Sequence, residues 1–221
     1  MRPSAVLHTL ALSVALALAG CGASQEASPQ AQATSQAEAQ DERLAAWFAE
    51  KYQEELQFSP IRLTFLGRKD LYDQLDDFSD EAQDRQLAWR KATVEDLEKS
   101  FDYDSLDDET KLSYDLWKLQ YEVARDAAAY RDNAYVFNQM QGPQSFLATF
   151  LINFHKVDSE ADYQAYLGRI TALERAFEQM LVRARRNAEA GYRMPKFAYE
   201  GVLTESRKLV SGAPFGEGPD S

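Results

Sequence analysis

Apolar residues follow two regimes along this chain. Near the amino terminus they form one run, Ala5 to Ala19, broken only by His8, Thr9 and Ser13. From Asp41 onward they recur every three or four positions, the spacing of one face of an α-helix. Alternation with period two, the mark of a half-buried strand, is hard to find. Pro is absent from Ile61 to Gln141 and Gly from Arg68 to Gln141, so nothing there breaks helices rich in Ala, Leu, Glu, Gln and Arg. The pattern predicts an all-α fold, an irregular bundle of about six helices. The first starts near Asp41 and carries Leu44, Trp47, Phe48, Tyr52 and Leu56 on one face. Ser59-Pro60 opens a short second helix that stops at Gly67. Ser79 caps a third, with Asp80 and Glu81 suited to the helix dipole. Asp107 caps a fourth with two apolar stripes, Leu112, Leu116, Leu119, Val123 and Tyr130 beside Tyr114, Trp117 and Tyr121. Such width predicts a helix central to the bundle. Gln144 to Phe154 is short and apolar nearly all round. Ser159 to Asp162 has capping-box spacing and opens a helix reaching toward Gly191, about 45 Å at 1.5 Å per residue. Pro195 precedes the last helix.

The first apolar run is shorter than the roughly 20 residues that span a bilayer. With Arg2 before it and small residues after it, it has the form of a secretory signal peptide, residues 1–20. Its end, Leu18-Ala19-Gly20-Cys21, resembles the lipobox of bacterial lipoproteins, which implies acylation of Cys21 and a membrane anchor rather than a span. Gly22 in place of Asp resembles the pattern of lipoproteins sorted to the outer membrane, so the expected location is the cell envelope, facing the periplasm. Residues 21–40 are almost entirely Gln, Ala, Ser and Glu, with no aromatic or branched aliphatic side chain, and are expected to be a disordered tether. The folded domain is then 41–210, and the Gly- and Pro-rich residues 211–221 form a disordered tail.

Charge narrows the partners. The 221 residues include 24 basic and 36 acidic side chains, and loss of Arg2 with the signal leaves a formal −13. Such a surface repels nucleic acid and anionic headgroups, so the lipid is the expected anchor.

Chemistry-bearing residues are few. Cys21 is the one cysteine, and with His8 inside the signal, His155 is the one histidine left. A zinc site built on two histidines, or on histidine and cysteine together, is excluded. His155 ends a helix beside Lys156, where a cation suits the terminal carbonyls. The acidic runs Asp70–Asp84 and Asp102–Glu109 invite a calcium reading. A loop starting at Asp102 needs an oxygen ligand at its fifth position and Gly at its sixth; Leu106 and Asp107 stand there. Solvated loops and helix caps account for these acids. No pair of carboxylates is singled out for hydrolysis. The segment Phe137 to Pro143 is polar and turn-forming between apolar helices, and Asn138, Gln139, Gln141, Gly142 and Pro143 are the candidates for lining a cleft.

Several short motifs occur in a characteristic order: Ser59-Pro60 with Gly67, Leu112-Ser113-Tyr114-Asp115-Leu116, Asn138 through Pro143, Asp162 through Leu167, and Gly191 through Pro195-Lys196. Together they resemble the domain of unknown function 885 family over about Asp41 to Phe215, with one departure at Gln141, where the family usually has Gly. The resemblance implies a mostly helical bacterial envelope protein. It also implies that longer members carry, in a carboxy-terminal half, a His-Glu motif followed by Gly-His like a metallopeptidase zinc site. No position here matches that motif, so no catalytic residue, metal or cofactor is carried over, and zinc is implied only for full-length members.

The leading expectation is therefore a non-catalytic, amino-terminal helical region of a metallopeptidase-like lipoprotein, whose partner is the missing carboxy-terminal half or a peptide. The alternative is an independent, non-enzymatic lipoprotein that binds a protein or peptide through a helical face. A small enzyme using carboxylates alone is a third reading. Apolar side chains at Phe146, Leu147, Phe150, Leu151, Val202 and Leu209 are expected to form an exposed patch if part of the fold is missing. Mass spectrometry of the mature amino terminus should find acylated Cys21 as its first residue, and Cys21→Ala should release the protein from the membrane fraction. An unmodified cysteine, or cleavage elsewhere, would refute the anchor.

Overall fold

The structure is a computed structural model that describes residues 29–211. The signal segment, Cys21, Gly22 and residues 212–221 lie outside the described residues. Seven α-helices follow one another, and the described residues contain no strand. They are α1 (Pro29–Leu56), α2 (Pro60–Phe65), α3 (Asp80–Ser100), α4 (Asp108–Ala128), α5 (Pro143–Phe154), α6 (Glu160–Glu189) and α7 (Lys196–Lys208). Short 3-10 turns stand at Tyr103–Ser105 and Arg131–Asn133.

Helix starts follow local chemistry. Ser59, Ser79, Asp107 and Ser159 each accept a hydrogen bond from a backbone N–H in the first turn, at Arg62, Ala82, Thr110 and Asp162. Each cap satisfies one of the donors that a helix leaves free at its start. Gly67 and Gly191, at φ +75° and +94°, follow the ends of α2 and α6 in the left-handed conformation that glycine adopts at low cost. The first helix differs from the sequence expectation. It begins at Pro29, so Pro29–Gln40, assigned by composition to a disordered tether, is the first part of α1. Ala, Gln and Glu are strong helix formers, and a long helix can extend through a stretch that packs no core.

Two apolar centres organise the bundle. In the first, α1, α3 and α4 enclose Leu44, Leu97, Phe101, Leu106 and Tyr114, with Trp47, Phe48 and Trp117 against them. Trp47 and Trp117 meet edge to face at 5.4 Å, and Trp89 approaches Trp117 at 6.3 Å. Each indole N–H finds an acceptor: Asp96, Glu54 and Thr93 for Trp47, Trp89 and Trp117. In the second, α2, the segment after it, α5 and α6 enclose Ile61, Leu75, Leu147, Phe150, Leu151, Ala176 and Met180. Three of the six side chains expected to lie exposed, Leu147, Phe150 and Leu151, are therefore core, because α5 sits between α2 and α6 rather than at an edge. Phe146 and Leu209 remain 42% and 41% exposed.

The fourth helix is also corrected. Its Tyr114, Trp117 and Tyr121 stripe faces the bundle, but Leu112, Leu116, Leu119 and Val123 are 48–60% exposed. With α1 and α3 on one side only, α4 is a peripheral helix with an uncovered apolar face, not the centre of the bundle. This difference sets an expectation for urea unfolding. Leu97→Ala, at a fully buried site, should cost about 2–5 kcal/mol. Leu116→Ala should change stability by no more than about 0.5 kcal/mol. Equal losses would mean that α4 is buried on both faces.

Candidate functional site

The polar loop singled out by sequence packs against its neighbours. Asn138 Oδ1 accepts from the N–H groups of Met140 and Gln141 at 3.0 and 2.8 Å, which closes the turn. The Asn138 carbonyl accepts from Gln144 Nε2 at 2.6 Å, and the same amide donates to Glu205 on α7 at 2.7 Å. Gly142 caps α5 and Pro143 is its first residue. A methyl group added at Gly142 would collide with the Gln144 side chain and the Asn138 carbonyl, so glycine is required there for close approach. Gln139 lies against Gly201 of α7, where an added Cβ would come within 2.8 Å of its own Cβ. Asn138, Gln139, Gly142 and Pro143 thus clamp α5 to α7.

The first residue of that loop, Phe137, and the two residues before it do line a cavity. Tyr135, Val136 and Phe137 form one wall, Ala184, Asn187 and Ala188 of α6 form the floor, and Tyr192, Arg193, Met194 and Tyr199 close the far side. The cavity measures about 210 Å³. Asn187 is 1% exposed; its amide nitrogen donates to the Ala134 carbonyl at 2.8 Å, while its Oδ1 has no partner among the described residues. Arg185 also faces this cavity.

The most concentrated polar chemistry is buried between α2, α5 and α6. Arg169, 0% exposed, donates from Nε to the Gln74 carbonyl at 2.9 Å and from Nη2 to Thr64 Oγ1 at 2.7 Å and the Pro60 carbonyl at 3.3 Å. Its Nη1 lies 2.9 Å from His155 Nδ1. A guanidinium is donor only, so Nδ1 must accept. The ring proton is then on Nε2, which donates to the Asp162 carbonyl at 3.0 Å. His155 is therefore neutral, and burial pushes its pKa below the ordinary histidine value, the adjacent guanidinium adding to that and the Asp162 carbonyl opposing it. The expected role of a charged histidine at the end of α5 is overturned. Tyr72 stacks on the imidazole at 4.1 Å, with the Arg169 guanidinium 4.8 Å from its own ring centre. Its hydroxyl accepts from the Lys156 N–H and donates to the Lys156 carbonyl.

Carboxylates flank this cluster. Hydrogen bonds from Lys69 and Ser159 hold the Asp162 carboxyl down at about 2. Asp76 accepts from the Ile61 N–H and the Ser59 hydroxyl, yet burial pushes its pKa up. It is a half-buried brace between α2 and the segment after it, not the solvated loop acid its run of aspartates suggested. Asp80 joins α3 to α6 through Arg183 at 2.8 Å and Arg186 at 2.6 Å. Among the described residues no three His, Cys, Asp or Glu side chains converge as metal ligands, and no helix is long and apolar enough to cross a membrane. The cluster has no open face for a substrate at His155, which is 6% exposed. Its chemistry is to fasten three helices.

Comparison with known proteins gives the family. A family model described as a bacterial protein of unknown function, DUF885, matches residues 60–220, well over half of the chain. The chain belongs to the DUF885 family. No curated protein and no solved structure matches it. The DUF885 region takes in the whole Arg169 cluster, the tyrosine-lined cavity and the exposed face of α4, and begins after the end of α1.

Arg169 and Asn187 were missed by sequence reading. The signal was present: Asp162, Arg169, Ala176, Met180 and Asn187 are the buried positions of α6, and polar residues interrupt that face at helical spacing. His155 gives this chain a measurable pH response. Its depressed folded pKa makes its contribution complete above about 6.5, the ordinary histidine value, and progressively lost as pH falls below it. Urea unfolding at pH 7.5 and 5.5 should show wild type losing more stability on acidification than His155→Gln. Equal losses would remove the neutral-histidine assignment.

Proposed function

We propose that this chain is an envelope lipoprotein, anchored by acylated Cys21, whose helical domain is a non-catalytic wall that packs against a further helical segment. In longer DUF885 members that segment would be the part expected to bear the metallopeptidase-like zinc motif. The anchor rests on the Leu-Ala-Gly-Cys ending of the signal segment. The docking role rests on α4. Leu112, Leu116, Leu119 and Val123 are spaced four, three and four apart, the seam by which one helix packs along another. Asp108, Glu109, Asp115, Glu122 and Asp126 lie exposed along the same helix. Lys118 is turned away to Glu98 and Arg125 is paired with Asp126. The complement to this face is an amphipathic helix with an apolar seam and basic flanks. An antiparallel second copy would set Asp115 against Glu122 and repel itself.

Several other large apolar side chains share this exposure, including Ile152 at 74% and Phe197 at 73%. Monomers seldom leave contiguous apolar patches beyond a few hundred Å² in water. The isolated chain should therefore bind a hydrophobic dye, and Leu116→Lys with Leu119→Lys should lower that fluorescence without lowering the unfolding midpoint. A chain that binds no dye and unfolds reversibly above roughly 65 °C, the upper end for mesophile domains, would overturn the docking role.

A further inference from the structure

The α4 seam and the tyrosine-lined cavity are separate features, and the second is a site of a different kind. We propose that the cavity between Tyr135–Phe137, the end of α6 and the start of α7 binds a small aromatic carboxylate.

Its walls select the ring. Tyr135, Tyr192 and Tyr199 stand half exposed around the mouth at 52, 43 and 42%, with Phe137, Val136 and Met194 among the lining side chains. Aromatic faces and a thioether favour an inserted ring through edge-to-face and sulfur contacts. A volume of about 210 Å³ lies below the ~300–1,000 Å³ of sites for drug-sized ligands, so it admits one ring rather than an extended molecule.

Two arginines select the charge. Arg185 makes no side-chain hydrogen bond and no ion pair among the described residues, in a chain where acids outnumber bases by 36 to 24. Arg193 uses only Nε, which donates to the Ala188 carbonyl at 2.9 Å, and leaves its terminal N–H groups open. Planar guanidinium groups with free donors match a carboxylate. Asn187 on the floor is held in place, its side-chain amide donating to the Ala134 carbonyl at 2.8 Å.

The test uses 4-hydroxyphenylacetate, with tyramine as a control of the same ring and opposite charge. The full chain, solubilised in detergent and labelled at its methionine methyl groups, reports on the site through Met194. Saturable movement of the Met194 resonance by 4-hydroxyphenylacetate is expected, with tyramine at least about tenfold weaker. Arg185→Gln lies at an exposed side chain and should weaken the carboxylate about tenfold, with tyramine unchanged or tighter. Tyr199→Ala should weaken both. No saturable Met194 shift, equal affinity for the two probes, or carboxylate binding unaffected by Arg185→Gln would each overturn the proposal.

Discussion

The fold turns on one buried charge. Arg169 brings a guanidinium to a position with no exposed surface and finds no carboxylate in direct contact there. Removing an ion from water costs several kcal/mol, so the surroundings must replace its hydration with oriented acceptors. They do so with two backbone carbonyls, a hydroxyl and an imidazole nitrogen, while the rings of Tyr72 and Phe150 lie 4.8 and 5.1 Å from the guanidinium carbon. The four acceptors come from three stretches of chain: Pro60 and Thr64 from α2, Gln74 from the segment after it, and His155 from the end of α5. Satisfying one side chain therefore fixes α2, the Gln74 segment and the end of α5 against α6.

The same demand sets the protonation of the centre. His155 must offer a lone pair to Arg169, so it cannot carry a second proton while the network is intact. Its other nitrogen then donates to the Asp162 carbonyl, and the Asp162 side chain is left to Lys69, Ser159 and the Asp158 N–H. A histidine, an arginine and an aspartate within reach of one another suggest catalysis on paper. Here every polar atom of the imidazole is committed, the guanidinium is sealed, and Tyr72 covers the ring. The group is a fastener, and it leaves surfaces elsewhere free for recognition.

Those surfaces differ in kind. The face of α4 is long, apolar and edged with acids, which suits another helix. The cavity beside α7 is small, ringed by tyrosines and served by unpaired arginine donors, which suits a single anionic ring. The Asn138–Pro143 turn packs beside the cavity, against α5 and α7. It holds α7 against α5 and leaves Tyr135 to Phe137, just before it, as a wall of the cavity. The five residues expected from sequence to line a cleft, Asn138, Gln139, Gln141, Gly142 and Pro143, are not among the lining of this cavity.

Local chemistry alone determined much of this protein. The helix starts at Ser59, Ser79, Asp107 and Ser159, the stops before Gly67 and Gly191, the all-α class and the family were legible because caps, breakers and motif order act over a few residues. The start of α1 was less so, since a polar Ala- and Gln-rich stretch satisfies a tether and a helix equally well by composition. Only the tertiary structure decided which apolar stripe of α4 is covered, that α5 is core, and that His155 is neutral. A periodic pattern says which side chains share a face, but the burial of that face depends on what packs against it. Thr64 and Arg169 meet across 105 residues of sequence, and Arg183 and Asp80 across 103. Such pairings follow from how helices assemble in space, and no local propensity encodes them.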